Sequence, residues 1–285
     1  MKRTEFRFFD RLRVRWVEVD LQKIVFNGHY LMYFDTAIAA YWRAMAMPYH
    51  ETMEQLEGDL YVRKATVEYR GSARYDEMID VALRCDRIGN SSITFVGCVF
   101  RGEQALVSGE LVYVFADPRT QTSRPVPPTL RAVLQAFEAG EPMTEIVTGP
   151  WGALGAEAQP LRQAVFVGEQ KIPAELEWDA ADETALHAIA RNRFGLTVGT
   201  GRLVEASPGI GKIGRMAVMS SVRGSGIGRQ VLDALVDAAR ARGWCEVLLH
   251  AQLSAVPFYR RAGFVSQGPV FEEAGIPHQT MTLAL

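Results

Sequence analysis

Two domains of different build are predicted: an α+β domain in which an antiparallel sheet wraps a central helix, then an α/β domain. Three observations predict them. The chain has 285 residues, beyond the roughly 250 at which single hydrophobic cores stop growing. Apolar residues at steps of three and four mark one long helix after Asn27, and from about Leu60 to Ala116 only alternating segments follow. From about Glu145 helical and alternating segments take turns to the end of the chain.

The first half opens on an alternating segment, Leu12 to Val19. Leu31, Phe34, Ile38, Tyr41 and Met45 then share one helical face, which Tyr30, Ala37 and Trp42 widen, so this helix is expected to be buried and to stop at Pro48. Strands are expected over Ala65 to Tyr69, Met78 to Asp86, Ser92 to Phe100 and Gln104 to Phe115, with Arg101-Gly102-Glu103 as a hairpin turn. Asp117-Pro118 ends the sheet, and a short amphipathic helix spans Leu130 to Phe137. Ala139-Gly140-Glu141-Pro142 breaks that helix, which puts the domains at 1–140 and 141–285. In the second half strands are expected at Glu145 to Thr148, Leu186 to Ala190, Val198 to Val204, Ile213 to Val218, Val247 to Ala251 and Thr280 to Leu285. Helices run through Val167, from Ile227 to Arg242 and from Pro257 to Ala262.

Composition narrows the function. Lys plus Arg is 31 and Asp plus Glu is 33, so the net charge is −2; a nucleic-acid partner, which needs a concentrated positive field, is not expected. No apolar run reaches the roughly 18 residues of a membrane span, and the N-terminus enters mixed charge at once, so a cytoplasmic protein is expected. Cys85, Cys98 and Cys245 are odd in number and widely spaced, and the histidines at 29, 50, 187, 250 and 278 never pair at ligand spacing, so no metal is expected.

Asp20 lies seven residues before Asn27, at the start of the buried helix. Asn27 suits an N-cap and Gly28 permits close backbone approach, so free helix amides could face a ligand opposite a carboxylate. Such a pair can activate water, or attack, while the amides polarise a carbonyl. The plain alternative is a turn cap and a helix cap without chemistry, and on these residues alone it is preferred.

The segments Val14-Arg15-Trp16-Val17-Glu18-Val19-Asp20, Ile24 to Tyr30, Tyr33-Phe34-Asp35, Arg63 to Tyr69, Ala73 to Glu77 and Ser91 to Phe95 resemble the hotdog-fold acyl-CoA thioesterases of the hydroxybenzoyl-CoA thioesterase type, over about the first 135 residues. The resemblance implies that Asp20 performs hydrolysis of an acyl-CoA, that an amide near Asn27 polarises the thioester carbonyl, and that sheets of two copies join, as a homodimer or homotetramer, with active sites between subunits. Many members carry glycine where this chain has Gln22-Lys23. Tyr30 and His29 rank as pocket candidates only.

In the second half, Met216-Ala217-Val218 ends a strand and Arg223-Gly224-Ser225-Gly226-Ile227-Gly228-Arg229 leads into the amphipathic helix. A glycine-rich turn at a helix start offers N–H groups to phosphate. It also serves as a bare connection, and it lacks the P-loop ending and the dinucleotide spacing. With Val256 to Phe264, this loop resembles the GNAT acetyltransferases; Phe166-Val167, Glu169-Gln170, Pro173, Glu177, Asp179, Asp182 and Gly275 to His278 resemble one bacterial subgroup of them, over about residues 143–285. The resemblance implies a mixed sheet with flanking helices, a 223–229 loop that binds the pyrophosphate of acetyl-CoA, backbone pairing of Met216 and Val218 with the pantetheine arm, and Tyr259 as the acid that protonates the leaving thiolate. Gln252 stands where many members have asparagine. For the general base, His250 is the first candidate, against the reading of a hydrogen-bonded core histidine; Glu177 and His278 are weaker.

The expectation is a bifunctional CoA-thioester enzyme: acyl-CoA hydrolysis in the first domain, and acetyl transfer to an unidentified amine in the second. The alternatives are that one domain is catalytic and the other a scaffold, or that the chain is a non-catalytic acyl-CoA sensor.

Overall fold

Gly140 sits at φ 80° and caps the last helix of the first half, and the chain changes unit just after it, between Met143 and Thr144. The computed structural model describes residues 1–285. Each unit holds its own sheet.

In the first unit the strands are β1 (Phe8–Arg13), β2 (Asp59–Tyr69), β3 (Met78–Ile88), β4 (Ser92–Arg101) and β5 (Gln104–Ala116), and the helices are α1 (His29–Ala44), α2 (Tyr49–Gln55) and α3 (Pro128–Ala139). The sheet runs β1-β3-β4-β5-β2 and every pairing is antiparallel. Phe34 of α1 is fully buried, and the cross-strand pair Gly97 and Gly109 makes the space for its ring. A Cβ on Gly97 would come within 2.6 Å of the ring, and one on Gly109 within 2.7 Å. Removing two side chains from the sheet face therefore lets the helix lie against it, and burial of Phe34 stabilises the contact by roughly 3 kcal/mol.

Three local expectations need correction. The segment Leu12 to Val19 is not one strand: β1 lies earlier, and one turn of 3-10 helix follows at Trp16–Glu18. The Glu18 carboxylate accepts the Arg15 N–H at 2.7 Å, which closes the turn and ends extended pairing. Asn27 does not cap α1; the N-cap is Gly28, with no side-chain cap bond. Pro48 does not stop α1, which already ends at Ala44 with Ala46 at φ 56°; Pro48 caps α2 instead.

The second unit contains β6 (Thr144–Pro150), α4 (Trp151–Arg162), a π-helical turn at Gln163–Glu169, α5 (Ala174–Glu177), β7 (Leu186–Asn192), β8 (Thr197–Ser207), β9 (Ile210–Val218), α6 (Ile227–Ala241), β10 (Glu246–Gln252), α7 (Val256–Arg261), β11 (Val265–Glu273) and β12 (Ile276–Ala284). The sheet order is β11-β12-β10-β9-β8-β7-β6. Ile189 packs with Leu154 and Ala158 of α4, whereas a Cβ at Gly199 would meet Ile227 and Val231 of α6. Ile189 pairs with Thr200, and Ala190 with Gly199, so strand alternation puts α4 and α6 on opposite faces. Strand β11 has no counterpart in the sequence reading: it is an edge strand exposed on both faces, with a register shift between Gln267 and Val270.

All pairings in this sheet are antiparallel except β9 with β10, which are parallel only over Ile210 to Lys212 against Glu246 to Leu248. Beyond Lys212 the two strands part, and the edge of β9 that faces β10 has no strand partner.

Candidate active sites

A cleft of about 1240 Å3 opens where β9 and β10 diverge. Its walls include Met216, Val218, His250, Gln252 and Tyr259, and its mouth includes Gly224, Gly226 and Gly228. The glycine-rich loop is built as a backbone cradle. Gly224 and Gly226 both sit at φ 88°, a left-handed conformation that glycine adopts without penalty. The N–H groups of Arg223 and Arg229 bond to Ser220 and Gly226 carbonyls, but those of Gly224, Ser225, Gly226, Ile227 and Gly228 donate to nothing in the chain. A run of open amides at the N-terminus of α6 adds the positive end of the helix dipole to an anion site.

The arginines of this loop are half exposed but already paired. Arg223 donates to the Val218 carbonyl at 2.9 Å and to Glu169 at 2.8 Å, and Arg229 pairs with Asp233. The Ser225 hydroxyl donates to the Val222 carbonyl at 2.7 Å. These side chains hold the loop, and its backbone is what remains open.

Tyr259, on α7, is 8% exposed and lines the cleft. Burial pushes its phenol up to about 12, so it is fully protonated at neutral pH. Gln252 donates to the Gln170 side chain at 2.9 Å, joining the end of β10 to the turn after α4. His250 contacts Glu273 and Lys212 rather than a closed core. Glu177 has both oxygens occupied, Oε1 by Arg162 at 2.6 Å and Oε2 by Arg215 at 3.0 Å, and it is 2% exposed. Burial pushes its carboxyl up against the pull of Arg162 and Arg215, and with both oxygens paired it is a structural group rather than a free base.

Glu177 belongs to a buried network that the sequence reading did not assemble. Arg162 has no exposed surface; it forks onto Asp182 at 2.9 and 3.0 Å and lies over the adjoining rings of Trp151 and Trp178. Arg202 bonds Asp179 and Asp182, and Arg215 bonds Asp179. These contacts pin the chain from Glu177 to Asp182 along one wall of the cleft. A signal for Arg162 exists in the sequence: Leu154, Ala158, Leu161 and Val165 place it on the apolar face of its helix, where an arginine requires partners.

Asp179 and Asp182 of this network predict acid sensitivity, to which Glu177, shifted the other way, does not add. The Arg202 hydrogen bond leads the effects that hold Asp179 below its ordinary 3.8. At Asp182 burial acts upward, but hydrogen bonds from Arg162 and Arg202 outweigh it and the net direction is down. Both folded-state values lie below the unfolded ones, so the stabilisation is complete above about pH 4 and is lost as pH falls through the folded values. Thermal melts between pH 6 and 2 should show a level region and then a fall below about pH 4, with a shallower fall in Asp179→Asn.

In the first unit, Val19 bridges Val25, and the Asp20 N–H donates to the Ile24 carbonyl at 2.9 Å. The Phe26 N–H donates to the Glu18 carbonyl at 2.9 Å. Asp20 and Asn27 therefore stand on the two arms of one tight hairpin. Asp20 Oδ1 accepts the Gln22 N–H at 2.8 Å, and the Asn27 and Gly28 N–H groups make no bond within the chain. The Asn27 carbonyl accepts from the Tyr69 hydroxyl at 3.0 Å. Lys23, where the resemblance leads one to look for glycine, sits at φ 62° in the left-handed region.

Behind this hairpin is a second feature absent from the sequence reading. Glu18 is 1% exposed and accepts from the Tyr33 hydroxyl at 2.8 Å and from Arg15. Burial acts against its charge, but the Arg15 N–H, Tyr33 and the Arg15 guanidinium together hold it below the usual carboxylate range. The ion fastens the base of the hairpin to α1.

Residues 155–285 match the family model of the GNAT acetyltransferase domain, and residues 22–108 match that of the thioesterase superfamily. The uncharacterized N-acetyltransferase YjcF of Bacillus subtilis is 38% identical over 122 residues, which cover 42% of this chain and 86% of YjcF. The IAA acetyltransferase of Azospirillum brasilense is 35% identical over 131 residues, covering 40% of this chain and 85% of its own. Among solved structures, a DHNA-CoA thioesterase from Staphylococcus aureus is 17% identical and covers 46% of this chain and 90% of its own, with a TM-score of 0.42. No helix of this chain is long and apolar enough to cross a membrane.

Proposed function

Because the chain belongs to the thioesterase superfamily in its first half and to the GNAT acetyltransferases in its second, we propose that it is a bifunctional enzyme that hydrolyses an acyl-CoA at one site and transfers an acetyl group from acetyl-CoA to an amine at the other. The observation that supports this most is the run of open amides from Gly224 to Gly228 at the mouth of the cleft. These donors suit the pyrophosphate of CoA, and the edge of β9 at Met216 and Val218, which has no strand partner and whose Val218 carbonyl also accepts from the Arg223 side chain, suits the amide-bearing pantetheine arm. The acetyl thioester would then lie between the diverging strands, beside Tyr259. The amine nitrogen forms its bond to the acetyl carbon as the carbon–sulfur bond breaks; His250 takes the amine proton and Tyr259 gives one to the leaving sulfur.

In the first half the Asp20 carboxylate acts on the thioester carbonyl, directly or through water, while the open amides of Asn27 and Gly28 polarise its oxygen. Strand β2 is an exposed edge strand with open backbone groups, and Leu21 and Trp16, beside Asp20, are 102% and 74% exposed. Pairing of two copies would cover such surfaces, and the proposed assembly is at least a homodimer.

A second reading, a scaffold or sensor in the first half, draws on the Asp20 side chain already capping a turn at Gln22. Free-thiol release from short, long and aromatic acyl-CoAs, without amine, separates the two: turnover supports hydrolysis, and stoichiometric binding without thiol release supports the sensor. For the second half the test is Gly228→Asp. A Cβ there meets Val218 and Phe258 only at 3.4 Å and beyond, and a carboxylate in the first helical turn favours the helix. Acetyl-CoA affinity is nevertheless expected to fall about 100-fold, since the new charge repels phosphate and takes up its donors. Calorimetric titration checks this, with a thermal melt expected to be unchanged or raised.

A further inference from the structure

One wall of the cleft carries a cluster drawn from four strands: Lys212 on β9, His250 on β10, Glu273 on β11 and His278 on β12. Glu273 reaches it because β11 and β12 form a hairpin against β10, with His278 opposite both Phe271 and Gln252. Phe271 meets the His250 ring edge to face at 4.9 Å and stacks on His278 at 6.1 Å, so it fixes the plane of the first ring and separates the two histidines.

The hydrogen bonds decide which ring nitrogen of His250 carries the proton. Nδ1 lies 3.0 Å from Glu273 Oε2 and 3.5 Å from Lys212 Nζ. In the neutral ring this nitrogen cannot both donate to the carboxylate and accept from the ammonium. An ionised carboxylate only accepts, and its contact is shorter by 0.5 Å. Nδ1 is therefore the donor, and the Lys212 charge serves to keep the carboxylate ionised. Burial acts upward on Glu273, but the bond to His250 and the nearby Lys212 charge hold it below the usual range. Nε2 is left with a lone pair and no partner in the chain, on a ring that lines the cleft.

We propose that Glu273 is a positioning residue that holds His250 as the Nδ1–H tautomer, so that Nε2 is the atom that accepts the proton of a primary amine in the cleft. This rests on the acetyl-transfer reading of the second half. His278 also donates from Nδ1, but to the Ile276 carbonyl at 2.8 Å; a carbonyl dipole stabilises the imidazolium less than a full charge does. The pair thus favours His250 over His278 as the base. As the amide bond forms, the amine proton moves to Nε2, the imidazolium is stabilised by Glu273 through Nδ1–H, and the proton then passes to solvent.

The test is the tautomer itself, read by two-bond proton–nitrogen correlation spectra of the full chain labelled with 15N-histidine, at a pH where the rings are neutral. The His250 signals are identified by their loss in His250→Gln. The wild type should show Nδ1 protonated and Nε2 bare. Glu273→Ala should convert the ring to the Nε2–H tautomer, with Lys212 now donating to Nδ1, whereas Glu273→Gln, which retains an acceptor oxygen, should keep Nδ1–H. An Nε2–H tautomer in the wild type, or no change in Glu273→Ala, overturns the proposal. The spectra need neither amine nor turnover, so a failure of acetyl transfer would show separately, as Nδ1–H in a chain that acetylates nothing.

Discussion

Asp20→Asn is expected to lower acyl-CoA hydrolysis by roughly 10²–10⁴-fold, the usual contribution of a positioned acid or base, with no loss of stability. The two roles of this side chain can be separated because they need different things from it. As a turn cap, Asp20 needs one oxygen to accept the Gln22 N–H at 2.8 Å, and asparagine supplies the same oxygen. As a catalytic group it needs a negative charge and basicity, which asparagine lacks. A variant that melts with the wild type and releases no thiol therefore places the chemistry on the carboxylate. One that melts lower and retains hydrolysis places the residue in the turn alone.

Arg162→Met should destabilise the second unit by about 3 kcal/mol, because Asp182 and Glu177 each lose one of two buried countercharges and keep only the other, Arg202 and Arg215 respectively. Methionine replaces much of the volume, so the loss is electrostatic rather than a cavity effect. Asp182 loses both hydrogen bonds of the guanidinium fork, and Glu177 loses the bond to its Oε1. Since native domains are stable by only about 5–15 kcal/mol in all, this is a large share of the margin. Arg162→Lys should retain part of the stability, as the charge stays and the planar fork is lost. Denaturant titration followed by tryptophan fluorescence, in a background where Trp16, Trp42 and Trp244 are replaced by Phe, reads this directly, because Trp151 and Trp178 lie 5.1 and 4.7 Å from the guanidinium. Only the transition reported by those tryptophans should move.

Much of the architecture is legible in the sequence where burial is one-sided. Alternation over Val107, Gly109, Leu111, Tyr113 and Phe115 corresponds to the buried face of β5, and the three- and four-residue steps from Phe34 correspond to the buried face of α1, whereas Leu31, expected on that face, is exposed in its first turn. Legibility fails where local hydrogen bonds or exposure override pattern. The Glu18 side chain turns an alternating run into a 3-10 turn, and β11 carries no apolar period because all of it but Phe271 is exposed.

The sites divide in the same way. Turn chemistry makes the 224–228 cradle readable, since glycines at φ 88° and a following amphipathic helix are local properties. That Arg223 folds back onto Val218 and Glu169 is not local, and this pairing does not follow from the motif. The same holds for Glu273, which lies 23 residues from His250 in sequence and meets it only through the β11–β12 hairpin.

The most direct measurement sets Asp20→Asn beside Tyr259→Phe in the full chain. Thiol release is recorded from acyl-CoA without amine, and from acetyl-CoA with a panel of primary amines. Two independent sites predict a reciprocal pattern: Asp20→Asn loses hydrolysis and keeps acetyl transfer, and Tyr259→Phe keeps hydrolysis and loses transfer. Loss of both activities in either folded variant would contradict the assignment of two separate CoA-thioester reactions to the two halves of this chain.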